Sequence, residues 1–500
     1  MVFLRRLKLF LFNGIILTFT SIFLQFIGVS FGVYISNRIG KEAVGLYQLL
    51  MSVYSFGVTL AISGINLTCM RLISEELAKS SLGNVKGAMK KCLIYSLLFG
   101  LLAFLLISLS ANLISSYILH NKISISTICI MALALPFVSI CSCINGYFSA
   151  VRHVIKSSLL QIVEQFFRIF VVTYLLNYVF TPSINSACLS IVFGSTVSEV
   201  LTCICTIILY LHESKKHTKT KAYFPAKNIL RISLPISFTS YIRSGLSTLK
   251  QVLVPLKLES FGLSCNVALS QYGLINGMVL PIILFPSTFL NSFSGLLIPE
   301  FSSFNVKQEK ETIKKSIEKI FKYTIFFSFF VVGFFFCFSD NLSVLIYKNI
   351  EISIYIKILA PIIVFMYLDN IVDGILKGLD KQVSVMIINI IDLISSIIFI
   401  CILLPMYGII GYLIVLFISE ILNALLSIWV LIDTTKIKFN YKNLIIKPIF
   451  VVFFSVILTN IFKFDTYSVF FLILNGLVFT IFYFLFSFML NLISKKDFKF

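Results

Sequence analysis

Residues 92–118 read CLIYSLLFGLLAFLLISLSANLISSYI, without one charged side chain. A bilayer core about 30 Å thick needs about twenty predominantly apolar residues of helix to cross it. Backbone groups inside lipid must bond within their own segment, so a stretch of this kind crosses as a helix rather than a strand. Working outward in both directions, comparable stretches recur at 9–36, 43–70, 124–150, 158–180, 184–210, 232–258, 266–298, 323–347, 352–376, 383–404, 408–432, 447–462 and 467–493. The expectation is an all-α polytopic membrane protein with 14 transmembrane helices.

Composition agrees. Of 500 residues, 58% are hydrophobic and 12% charged, and the mean hydropathy is +1.00. The longest polar segments, Leu211–Arg231 and Ser302–Lys322, hold about twenty residues each, too few for a soluble catalytic domain. A net charge of +20 would suggest nucleic acid in a soluble chain. Here the basic residues gather at the N-terminus (Arg5, Arg6, Lys8) and after even-numbered spans. They are Lys79, Lys86, Lys90 and Lys91; Arg152 and Lys156; Lys215, Lys216, Lys219, Lys221 and Lys227; then Lys307, Lys310, Lys314, Lys315 and Lys319. Lys377 and Lys381, then Lys436, Lys438 and Lys442, and finally Lys495, Lys496 and Lys499 continue the pattern. Odd-numbered connections hold few: Arg38 and Lys41, Lys122, Lys348, Lys463. By the positive-inside rule the chain sits in the cytoplasmic membrane with both termini cytoplasmic, and no nucleic-acid partner is expected. The apolar run after Lys8 is too long for a secretory h-region and lacks a small-x-small cleavage site, so it reads as an uncleaved first span.

The chain repeats itself. Ala134-Leu135-Pro136-Phe137, Gly146 and Gln161-Ile162-Val163-Glu164 are answered by Leu359-Ala360-Pro361-Ile362, Gly374 and Asn389-Ile390-Ile391-Asp392, with the glycines and the carboxylates each 228 residues apart. Glu199 and Glu420 fit the same scheme less closely. The expected domains are an N-terminal six-helix bundle (1–211), a basic cytoplasmic linker (212–231), a C-terminal six-helix bundle (232–433), and two extra helices with a short basic tail (434–500). Parallel repeats of this build place a transporter's site near the bilayer midplane.

Polar residues inside the spans are the candidates for function. Arg243, Lys250 and Lys257 follow one another at intervals of seven, which rotates each only about 20° from the last and puts all three on one face of the seventh span. Each would cost about 2.5–3.5 kcal/mol against lipid at the bilayer centre, so the stripe needs a wet cavity or paired carboxylates. The alternatives are that Lys257 snorkels to the outer surface and that Arg243 is a structural ion pair. Span 5 carries Gln161, Glu164, Gln165 and Arg168 as one polar stripe. Glu164 and Arg168 can pair along the helix, leaving either a cavity cation or a self-neutralised stripe. Asp369, Asp373 and Lys377 share a face of span 10. Asp392, Glu199 and Glu420 are single intramembrane carboxylates, suited to a coupling ion or to acting as counter-ions.

Several chemistries lack their motif. There is no G-x-x-x-x-G-K-[ST] phosphate loop and no His-Glu-x-x-His. The four histidines (His120, His153, His212, His217) sit in connections without metal-ligand spacing, and the eleven cysteines fall mostly within spans. The reading is a transporter, not an enzyme, with no metal and no cofactor.

The run Ile39-Gly40-Lys41-Glu42-Ala43-Val44-Gly45-Leu46-Tyr47-Gln48, followed by Ser63-Gly64-Ile65, resembles the start of the stage V sporulation protein B family. So do Gly146-Tyr147-Phe148, Gln161-Ile162-Val163-Glu164-Gln165-Phe166-Phe167-Arg168, Val254-Pro255, Tyr272-Gly273 through Met278 and Pro281, Pro286, and Ile298-Pro299-Glu300. That family is similar to the lipid II flippases and MATE exporters of the multidrug, oligosaccharidyl-lipid and polysaccharide exporter (MOP) superfamily. The resemblance implies two bundles around a central cavity, alternating access, and a role in spore cortex or envelope polysaccharide assembly. It departs from the lipid II flippases, known for arginines within the first two spans: span 1 here holds only Asn13 and Gln25 before Arg38 at its outer end, and Arg71 lies at the inner end of span 2.

The combined expectation is an outward flippase for a lipid-linked (polyprenyl diphosphate) sugar or peptidoglycan precursor. Arg243, Lys250, Arg168, Arg38 and Lys257 form its cationic cavity, and Glu164, Asp392, Glu199 and Glu420 serve as counter-ions or coupling groups. Membrane lipids and cell-wall synthesis enzymes are the other expected partners. The competing class is a cation-coupled exporter of drugs or organic cations.

Overall fold

The computed structural model describes residues 2–78, 84–178, 183–215, 225, 227–437, 439, 442–462, 467–490 and 492. Lys79, Lys216, Lys219, Lys221, Lys438, Lys463, Lys495, Lys496 and Lys499 lie outside the described residues, as do 216–224 and 226 of the expected linker.

Helix accounts for nearly all of the described chain. In order come α1 (Val2–Ile62), α2 (Ile65–Ala78), α3 (Val85–Leu109), α4 (Ala111–Leu113), α5 (Ile125–Leu133), α6 (Leu135–Ala150), α7 (Val154–Tyr178), α8 (Ile184–Ser214) and α9 (Lys227–Ser260). There follow α10 (Cys265–Gly273), α11 (Leu280–Leu284), α12 (Ser287–Val306), α13 (Lys310–Tyr347), α14 (Glu351–Leu359), α15 (Ile362–Gly378), α16 (Gln382–Thr435), α17 (Lys447–Phe462) and α18 (Val469–Met489). Wide π-helical turns occupy Ile114–Ile118, Leu274–Val279 and Lys442–Ile446.

Glycine sets the breaks inside the longest helices. Gly40 (φ 83°, ψ 167°) divides α1 and Gly408 (φ 56°, ψ −132°) divides α16, conformations that side chains with a Cβ rarely adopt. Ser63 and Gly64, both at positive φ, separate α1 from α2 inside what the sequence predicts as one span, 43–70. Among the described residues ten helices are long and apolar enough to cross a membrane, or eleven if α14 and α15, bent by 52°, count as one. Fourteen crossings are reached only if α1 and α16 each cross twice and the more polar α9 crosses once. The chain is a multi-pass membrane protein.

Packing follows the inverse pattern of a helix in lipid. The third helix buries Cys92, Ser96, Gly100 and Ala103 and exposes Leu98, Leu102, Leu105 and Leu109. Small residues let helix backbones approach, and large apolar ones meet a solvent as apolar as themselves.

The chain divides into two compact units. The first comprises 1–31, 39–256 and 265–270, and the second 32–38, 257–264 and 271–500. Residues 232–256, assigned from sequence to the C-terminal bundle, thus group with the first unit. Their polar side chains explain it: Ser237 hydrogen-bonds Ser63 (3.1 Å), Thr59 Oγ1 donates to Ser244 (3.1 Å), and Thr248 Oγ1 donates to the Ser52 carbonyl (3.1 Å). The core of the first unit joins Ile65, Cys69, Met89, Cys143 and Tyr147 from α2, α3 and α6. The second unit has one core around Phe301, Ile317, Ile371 and Ile375, and another where α17 and α18 meet α13 through Phe338, Val451 and Phe479.

The 228-residue repeat has a physical basis in each unit. Asn66 Nδ2 donates to the Ser142 carbonyl (3.1 Å), and Ser294 Oγ donates to the Asn370 carbonyl (2.8 Å). Beside each bond a glycine lies on a neighbouring backbone. A Cβ on Gly146 would stand 2.5 Å from the Asn66 carbonyl oxygen, and one on Gly374 2.8 Å from that of Ser294. The α2–α6 contact and the α12–α15 contact are therefore the same contact, made twice.

Candidate functional site

Three helices of the first unit bring polar faces together. The second half of α1 presents Tyr47, Met51 and Tyr54, α7 presents Glu164 and Arg168, and α8 presents Val192, Ser195, Thr196 and Glu199. Each set recurs at three-, four- or seven-residue intervals, which is one face of a helix. Gly194 allows α7 and α8 to close up, since a Cβ there would fall 2.6 Å from Val172 Cγ2 and 3.1 Å from the Val172 backbone nitrogen. Ser198 Oγ then donates to the Glu164 carbonyl (2.9 Å), and Thr196 Oγ1 donates to the Ile130 carbonyl (3.2 Å), fixing α8 against both α7 and α5.

That register places one guanidinium between two carboxylates. Arg168 Nη2 donates to Glu164 Oε1 along α7 and to Glu199 Oε1 on α8 at 3.1 Å. The Glu164–Arg168 pair is the i,i+4 pair that the sequence suggests. Glu199, only 14% exposed, completes it from the neighbouring helix. The structure therefore brings together three of the predicted site residues.

A cavity of about 130 Å³ adjoins Arg168 and Glu199. Tyr47, Tyr54 and Ser195 line it, and their hydroxyls have no hydrogen-bond partner among the described residues. Arg168 Nε is buried and equally unpartnered. None of these three hydroxyl residues was singled out from sequence. The Tyr47–Tyr54 interval of seven, the same interval that marks the cationic stripe, was the available signal.

The second unit holds a different polar centre at related positions. Asp369 accepts from Asn423 Nδ2 (2.9 Å) and Ser427 Oγ (2.9 Å), while Asp392 accepts from Ser419 Oγ (2.6 Å). Asp392 stands 228 residues after Glu164, as the sequence indicates. The position 228 after Glu199 is Ser427, and Glu420 lies two helical turns before it, half-buried. Neither Asp369 nor Asp392 is ion-paired among the described residues, and the buried Oδ1 of Asn423 has no partner there. Asp373 and Lys377 make the i,i+4 pair the sequence suggests (3.2 Å).

The cationic stripe stays on one helix. Arg243, Lys250 and Lys257 all fall on α9, with Arg243 exposed and the two lysines half-buried. Arg243 and Lys257 have no ion-pair partner among the described residues. Arg38 is exposed in the second unit, next to Asn37, whose Nδ2 donates to the Ile346 carbonyl (2.7 Å).

Comparison with known proteins follows the same lines. The profile of the family described as polysaccharide biosynthesis protein matches residues 10–305. Stage V sporulation protein B of Bacillus subtilis (strain 168) is 23% identical over 413 residues, covering 80% of this chain and 79% of that protein. Among solved structures, the lipid II flippase MurJ in an inward closed conformation aligns with a TM-score of 0.71 at 14% identity, covering 95% of this chain and 98% of that one. An inward-facing multidrug resistance MATE family transporter of the MOP superfamily aligns with a TM-score of 0.64, also at 14% identity, over 83% of this chain and 95% of its own. The fold is thus that of the MurJ and MATE transporters.

Proposed function

The chain belongs to the polysaccharide biosynthesis protein family, and from that premise we propose that it is a flippase rather than an enzyme. Its cargo is an anionic lipid-linked sugar or peptidoglycan precursor, moved outward across the cytoplasmic membrane by alternating access. Both termini lie on the cytoplasmic side, where the basic connections gather. The similarity to stage V sporulation protein B supports a role in spore cortex or envelope polysaccharide assembly.

The observation that carries the reading is the cationic face of α9. Arg243 is exposed on α9 and has no carboxylate bonded to it among the described residues. A cation so placed is stabilised by water or by an anionic ligand. The diphosphate of a polyprenyl-linked sugar is such a ligand, gripped by Arg243 and Lys250, with Lys257 and Arg38 as further positive charge. Arg168 contributes less, because its charge is already shared between Glu164 and Glu199. Asp392 and Glu420 are the proposed coupling carboxylates, and wall-synthesis enzymes the proposed consumers of the cargo.

A second reading has one observation in its favour. The unpaired carboxylates Asp369 and Asp392 would suit an exporter of organic cations coupled to an ion. Purified protein separates the two: binding of a polyprenyl diphosphate supports the flippase, and binding of an organic cation instead supports the exporter. In proteoliposomes, Arg243→Gln and Lys250→Gln should each lower transport of the lipid-linked precursor at least tenfold with protein level unchanged. Full transport by both variants would make the stripe structural.

A further inference from the structure

The cavity between α1, α7 and α8 carries more hydrogen-bonding groups than the protein satisfies. The hydroxyls of Tyr47, Tyr54 and Ser195 and the Nε of Arg168 find no partner among the described residues. Arg168 Nε is fully buried, while the three hydroxyl residues line the cavity, where apolar lipid would offer their hydroxyls no partner. Three unmatched hydroxyls on one small cavity mark a surface shaped for a polar occupant.

Charge narrows the class of that occupant. An anion would approach two carboxylates, Glu164 and Glu199. A cation would compete with the Arg168 guanidinium already bonded to both. What remains is a neutral group that both donates and accepts, met by donors and acceptors from the hydroxyls and by the acceptor oxygens of Glu199. Two tyrosine rings and the Met51 side chain add apolar area. Size narrows it again. A cavity volume of about 130 Å³ lies below the about 300 Å³ where drug-sized pockets begin. A single hydroxyl-bearing ring meets all three conditions.

We infer that this cavity is a subsite for one sugar ring, with Tyr54, Ser195 and Glu199 reading its hydroxyls and Arg168 orienting Glu199. The inference rests on the flippase reading for the idea that the sugar arrives attached to a lipid. The helix geometry is compatible with that arrival. On α1, Ser52 and Thr59, which bond α9, lie about 120–160° around the helix from Tyr47 and Tyr54. The α1 helix thus presents the proposed diphosphate-binding helix on one face and the sugar subsite on the next.

The test uses full-length detergent-solubilised protein and methyl N-acetylglucosaminide, followed by saturation-transfer NMR. Wild type should bind the glycoside, and Tyr54→Phe and Ser195→Ala should each weaken binding about tenfold while thermal unfolding is unchanged. No glycoside binding by wild type, or equal binding by both variants, would overturn the subsite and leave a cavity that holds water only. A parallel transport assay compares sugar-bearing with sugar-free polyprenyl diphosphate. Failure of wild type to move either lipid would refute the flippase reading alone, since glycoside binding is read without transport. Where transport occurs, Tyr54→Phe should slow only the sugar-bearing lipid, and equal slowing of both would overturn the subsite.

Discussion

At Arg168 one guanidinium is bonded to two carboxylates, so the three changes that break the cluster are not equivalent. Arg168→Gln leaves Glu164 and Glu199 facing each other without a cation, whereas Glu199→Gln keeps the Arg168–Glu164 pair. Breaking a largely buried pair by removing one partner costs about 3–5 kcal/mol, most of it from the charge left behind. Arg168→Gln should therefore lower thermal stability more than Glu199→Gln, and the triple change to Gln should recover much of the loss. Unfolding followed by fluorescence in a fixed detergent checks the order, and equal losses for the two single variants would show that the cluster does not act as a unit. Sequence reveals only part of this cluster. The Glu164–Arg168 interval is local and legible. The third partner comes from another helix, and nothing in an apolar sequence fixes which face of α8 turns toward α7.

Gly194 supplies that missing information at the level of the element. Its missing side chain allows α7 and α8 to touch, and Val172, branched at Cβ and stiff, cannot readily move away from a methyl group placed 2.6 Å from its Cγ2. Gly194→Ala should cost about 1–3 kcal/mol by overpacking and move Glu199 away from Arg168. Val172→Ala in the same chain should restore both stability and transport. If Gly194→Ala alone is silent, the helix contact does not set the register of the site. The existence of the helices was legible from apolar runs, as were the repeat glycines Gly146 and Gly374. Their boundaries were not. A helix bathed in lipid is apolar all round and shows no 3.6-residue pattern from which an end could be read. The ends are set instead by backbone conformation, at Gly40, Ser63–Gly64 and Gly408, and at each of Gly40 and Gly408 two expected spans join into one long broken helix. Equally illegible was the grouping of residues 232–256 with the first unit, which depends on serine and threonine hydroxyls meeting across helices.

Across the whole molecule, charge distribution connects structure to the driving force. For the proposed flippase, the membrane potential and consumption of the product are the expected sources of energy. A polyprenyl diphosphate brings about two negative charges, and an inside-negative potential of 100 mV favours moving each outward by about 2.3 kcal/mol. The resulting bias of about 4.6 kcal/mol exceeds the cost of a single cation at the bilayer centre, about 2.5–3.5 kcal/mol. A bias of that size would favour the outward step of the proposed cargo. In proteoliposomes holding labelled lipid-linked precursor, a potential negative on the cytoplasmic face should speed its appearance on the outer face, and the reverse potential should slow it. Added ATP should change neither rate. Substituting Asp392 by Asn should then separate two sources of drive. If the carboxylate couples an ion, the variant loses its response to a proton or sodium gradient while keeping its response to potential. A wild-type rate indifferent to potential and to both gradients would leave equilibration pulled by downstream consumption, and would remove the electrostatic role from Arg243 and Lys250 even with the cargo class unchanged.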